Sequence, residues 1–92
     1  MAAVKLDSIA AAAVDMARAA AIDSGGEGAV GTHLGVSAEA ERVVTHSFAC
    51  LLTGYPDWYW AVTLVRASRA RVATVNEVVL LPRTDALLAP AW

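Results

Sequence analysis

The 92-residue chain has one cysteine, one lysine and three prolines. The single Cys50 excludes an intrachain disulfide, and with it the disulfide-stapled scaffolds of small secreted domains. One lysine and a net charge of −2 leave no polybasic surface, so bulk electrostatics do not favour duplex DNA. No apolar run approaches the roughly 20 residues that cross a bilayer. The alanine-rich stretch 9–22 is interrupted by Asp15 and Arg18. A secretory leader is not expected either, because Lys5 is followed closely by Asp7 and the would-be apolar region carries Asp15. These absences make the cytoplasm the expected location, with no membrane partner.

Apolar residues are abundant: 58% of the chain, against 17% charged, with a mean hydropathy of +0.52. Twenty-one residues are alanine. The length fits a single small domain over residues 1–92. A chain this short buries only about 60–65% of its unfolded surface. Some apolar surface is therefore expected to stay exposed or to meet a partner. Charge is uneven. Residues 1–57 carry three cations against seven carboxylates, whereas residues 58–92 carry four arginines against Glu77 and Asp85.

Residues 6–22 read as one helix. Leu6, Ile9, Ala13, Met16, Ala17 and Ala20 recur on one side, and alanine is the strongest helix former. Ser24, Gly25 and Gly26 end it. The glycines at 25, 26, 28 and 31 read as a connector rather than a phosphate loop, which needs a strand before it and a helix after it. Residues 43–52 alternate, with Val44, His46, Phe48, Cys50 and Leu52 on one face. Gly54, Pro56 and Asp57 mark a turn. Residues 58–66 form a second strand with Trp58, Trp60, Val62 and Leu64 together on one face. Residues 71–81 form a third, rich in valine and ended by Pro82. Residues 33–36 offer a further short strand. A last helical turn is expected over residues 86–88, capped by Thr84 or Asp85 and stopped by Pro90. The expected fold class is α+β: an N-terminal helix on a three- to four-stranded antiparallel meander, with a short C-terminal helical turn.

Four constellations invite chemistry. His33, His46 and Cys50 are metal-ligand types, but His46 and Cys50 sit about 13 Å apart on a strand, whereas two ligands of one zinc lie within about 4 Å. No metal or cofactor is therefore expected. His46 and Glu77 could form a catalytic pair if Glu77 is a buried carboxylate. A histidine on an apolar strand face is more commonly a hydrogen-bonded core residue, and Glu77 can equally turn to solvent. Trp58, Trp60, Arg66, Arg69 and Arg71 place rings and guanidinium groups near one strand, the ingredients of a single-strand nucleic-acid binder. Against this, the tryptophans share a face with Val62 and Leu64, as core aromatics do. The strand 71–81 is apolar on both faces and must be covered twice or be an edge that pairs with another chain. The tail 86–92 is also apolar and ends on Trp92. Val79, Leu81, Leu87, Leu88 and Trp92 are the expected partner-binding residues.

The residues also carry a resemblance. The run Val43-Val44-Thr45-His46-Ser47-Phe48-Ala49-Cys50 is followed by Gly54-Tyr55, Trp58 and Trp60-Ala61-Val62-Thr63. Then come Thr74-Val75-Asn76-Glu77-Val78-Val79-Leu80-Leu81-Pro82 and Ala86-Leu87-Leu88-Ala89-Pro90-Ala91-Trp92. Together they resemble an actinobacterial family known as domain of unknown function 3027. Residues 13–21 and His33-Leu34-Gly35-Val36 are similar too. The resemblance implies an actinobacterial protein and no particular activity. It also implies that family chains continue past the position of Trp92, so that this chain corresponds to their N-terminal portion. Arg83 stands where members often have glycine. The function expected is a binding module that self-associates or docks through its sheet edge and tail.

Overall fold

The computed structural model describes residues 5–83. They form two helices and a four-stranded antiparallel sheet: α1 (Ser8–Ala12), α2 (Val14–Gly25), β1 (Val30–Ala40), β2 (Val43–Cys50), β3 (Trp58–Val65) and β4 (Thr74–Pro82). The strands lie in chain order, β1-β2-β3-β4, each antiparallel to the next. This is the expected α+β meander, with four strands. The expected C-terminal helical turn lies outside the described residues.

The N-terminal helix is not continuous. It breaks at Ala13, whose φ of −83° and ψ of 50° leave the helical region. In an unbroken helix the Ala10 carbonyl would accept from Val14. Here it accepts the Ala13 N–H at 3.2 Å and lies 2.9 Å from a ring nitrogen of His46. A demand from the sheet thus interrupts an alanine-rich segment of high helix propensity. Asp7 caps α1 by accepting the Ala10 N–H at 2.9 Å. α2 ends at Gly26, whose φ of 96° suits glycine and whose N–H returns to Ile22 at 2.6 Å.

β1 is longer than the expected strand at 33–36 and absorbs part of the expected connector. Its pairing with β2 is irregular at three points, between Val30 and His33, His33 and Gly35, and Ala38 and Ala40. Bulges of this kind accommodate the glycines that made the segment look like a loop.

Both helices cover one face of the sheet. That face pairs Val44 with Leu64, His46 with Val62, and Phe48 with Trp60. All six are buried, and they join Ala10, Ala17, Ala21, Ala29 and Ala73 in the core. Complete burial of side chains such as Phe48, Leu64, Val44 and Val62 stabilises by about 1.5–3 kcal/mol each. The small alanine side chains of α2 let it approach the sheet closely. Gly25 takes this furthest: a Cβ there would collide with the Trp60 ring. The opposite face carries Thr45, Ser47 and Ala49 opposite Thr63, Ala61 and Tyr59, and no described helix lies over it.

Candidate functional site

Three groups of residues stand out, on the covered face, at the end of β3 and along β4. The first is a histidine pair. His46 is fully buried on β2, and its Nε2 lies 2.9 Å from the Ala10 carbonyl. That carbonyl can only accept, so Nε2 of His46 carries the proton and its Nδ1 is left as an acceptor. His33 on β1 supplies the donor: its Nε2 lies 3.0 Å from Nδ1 of His46 and donates to it. Burial, His46 and the Arg18 guanidinium together hold the His33 pKa below its usual 6.5. Arg18 reaches across from α2, with its guanidinium 4.9 Å from the centre of the Phe48 ring and one nitrogen donating to the Gly31 carbonyl at 2.8 Å. Sequence spacing did not join the two histidines. The β1–β2 register and its irregularity after His33 do.

The second group is an ion pair. Asp7 and Arg66 are 59 residues apart in the chain, yet the guanidinium donates to both carboxylate oxygens at 2.7–3.0 Å. Arg66 also donates to the Ala70 carbonyl at 3.0 Å. The Arg66 hydrogen bonds and the Ala10 N–H lower the Asp7 pKa from 3.8 to about 2. This cements the start of α1 to the end of β3 and fixes the β3–β4 connection.

These placements bear on the expected sites. Trp60 is buried at 6% exposure and its indole N–H donates to the Ala29 carbonyl at 3.0 Å. Its ring packs in the core and offers no face to a base. The Arg66 guanidinium is engaged by Asp7, which leaves Trp58, Arg69 and Arg71 of the nucleic-acid set. Trp58 is half-buried, while Arg69 and Arg71 are exposed. His46 and Glu77 do not meet. The regular β3–β4 register sets Glu77 against Thr63 on the uncovered face, where it is exposed, while His46 is enclosed on the other side. Cys50 is a partly buried thiol that accepts the Leu52 N–H at 3.4 Å. Among the described residues no three His, Cys, Asp or Glu side chains gather as a metal site.

The third group lies along β4. Among the described residues no strand pairs with its outer side, so it is an edge. Its sequence is Thr74-Val75-Asn76-Glu77-Val78-Val79-Leu80-Leu81-Pro82, with one charge in nine residues. Val79 pairs with Ala61 and Leu81 with Tyr59, which puts both on the uncovered face. Val75 and Leu81 are 41% and 38% exposed, amounts rare for core valine and leucine. A shallow groove of about 430 Å³ crosses the same face between Leu34, Ser37, Ser47, Tyr59 and Arg83. Of the expected partner-binding residues, Val79 and Leu81 are thus accessible, and Leu87, Leu88 and Trp92 lie outside the described residues.

Comparison with known proteins is decisive for kinship. The model of a family of proteins of unknown function, DUF3027, matches residues 31–92. The chain belongs to this family. It is 47% identical over 87 residues to the uncharacterised proteins Rv0877 of Mycobacterium tuberculosis and Mb0901 of Mycobacterium bovis. The match covers 95% of this chain and 33% of each relative, so the chain spans about a third of the length of these relatives. No solved structure matches it. No described helix of this DUF3027 chain is long and apolar enough to cross a membrane.

Proposed function

We propose that the chain is an interaction module that associates with a second copy of itself along β4. One observation carries this reading: the contrast between the two sheet edges. Natural edge strands are blunted by bulges, charges, proline or short length. β1 follows that rule, with three register irregularities and Glu39 near its end. β4 follows it only weakly, with a single irregularity, a proline confined to its last position, and apolar residues on both faces from Val78 to Leu81. The same strand from a second copy is the fitting partner. An antiparallel pair related by a two-fold axis is self-complementary. Any register centred on Val79 or Leu80 pairs valine and leucine with each other and keeps the two Glu77 carboxylates apart. A cytoplasmic location goes with this reading, since the free thiol of Cys50 suits a reducing compartment.

Light scattering across a concentration series tests it. The expected mass rises to twice 9.6 kDa. Leu81→Lys places a charge on the exposed end of β4 and is expected to return the monomer with its far-ultraviolet circular dichroism unchanged. A wild-type monomer at every concentration overturns the reading, as does a dimer that Leu81→Lys leaves intact.

A further inference from the structure

Association along β4 uses the outer edge of the sheet and leaves its uncovered face as it is. The two central strands place no charge on that face, and no described helix lies over it. The groove of about 430 Å³ that crosses it has an open floor. Gly35 pairs there with Ser47, and among the described residues no atom lies within 4 Å of where a Gly35 side chain would begin. Leu34 and Tyr59 line the same groove. A floor of glycine and serine beside a leucine and a tyrosine fits one flat aromatic side chain.

We propose that this groove seats the chain's own segment 84–92, with Trp92 over Gly35. Three observations choose this occupant. The first is where the described residues end. Arg83 lines the groove, and its N–H donates to the Asp57 carbonyl at 2.7 Å, so β4 delivers the next residue at the rim. The second is composition. Residues 86–92 carry no charge, and Trp92 is the sole aromatic residue after Trp60. An uncharged segment meets a face whose central strands are uncharged, so no ion is stripped of water. The third is length. From β4 to β1 is three strand spacings, about 14 Å. Nine extended residues reach about 30 Å. The segment can therefore cross to Gly35 with slack.

The matched family model takes in the same combination: residues 31–92 hold the sheet and this segment but neither helix. Leu34, 43% exposed among the described residues, gains cover on the same face. A second copy would offer the same segment. A tether this short, however, holds the chain's own segment at an effective concentration of about a millimolar, which a second copy at micromolar concentration does not match. The segment takes the face and leaves the outer edge of β4 free, so this seat and the β4 dimer are compatible.

Fluorine NMR of the whole 92-residue chain, carrying 5-fluorotryptophan, tests this. Trp92→Phe identifies the Trp92 resonance. That resonance is expected to lie away from its position in a free peptide of residues 84–92, with a solvent isotope shift less than about half of the peptide's. Ser47→Lys puts a long charged side chain on the groove floor. It is expected to return both values to the peptide's while the buried Trp60 resonance keeps its position. Leu34→Lys, at an exposed position on the rim, should do the same and serves if Ser47→Lys does not fold. A wild-type Trp92 resonance that coincides with the peptide's overturns the proposal. So does a displaced resonance that neither lysine variant moves. So does one that returns to the peptide's position on dilution from dimer to monomer, which would put the segment on the second copy. Mass reports the β4 dimer separately. A monomer with a displaced Trp92 keeps the seat and loses the dimer, and a dimer with a free Trp92 does the reverse.

Discussion

The two faces of the sheet are built by the same strands and differ in almost everything else. On the covered face Val44, His46, Phe48, Trp60, Val62 and Leu64 are each 6% exposed or less. One residue along, Thr45, Ser47, Ala49, Tyr59, Thr63 and Val65 are only half-buried. A solvated antiparallel face ordinarily alternates to polar residues. The two central strands place no charge there: small hydroxyls and alanine line the middle, Tyr59 and Val65 the ends. The uncovered face is thus too apolar for water and too polar for a core. Two-sided strands of this kind concentrate the stabilising burial on one face and leave the other accessible.

The largest test of this division is Phe48→Ala. Truncating a fully buried phenylalanine is expected to cost about 3–5 kcal/mol, read as a lower midpoint in urea. Gly25→Ala follows at about 1–3 kcal/mol, because the new methyl group meets the Trp60 ring rather than open space. Acid supplies a third probe. The lowered Asp7 pKa means that its contribution is complete above pH 3.8 and is lost as pH falls toward about 2. Asp7→Asn should flatten that part of the pH–stability curve. On the uncovered face, Thr45→Ala removes a hydroxyl 3.2 Å from that of Thr63 and should cost about 1 kcal/mol or less. If Thr45→Ala proved as costly as Phe48→Ala, the division between faces would fail.

Much of this architecture is legible in the residues themselves. The alternation from Val43 onward gives β2 and the covered face of β3, because a period of two needs no information from elsewhere. The N-terminal break was not legible. The alanines from Ala10 to Ala13 favour helix, and the cause lies 33 positions away in His46. β1 was legible only in part, since Gly31 and Gly35 carry loop signals that pairing with β2 overrides. The position of Glu77 depended on which face the helices cover, and alternation cannot decide that. The family resemblance needed only the run of residues, and it is the reading that relatives support most directly.

The Asp7–Arg66 pair has a consequence for how the chain is made. Its partners are separated by 59 positions, and α1 is tied to the sheet through them, through His46 and through the buried Ala10. At roughly 5–20 residues per second of synthesis, Arg66 follows Asp7 by about 3–12 s. For that interval the nascent N-terminus lacks this anchor. The first helix to be synthesised is therefore locked down by Arg66 only after β3 has been made.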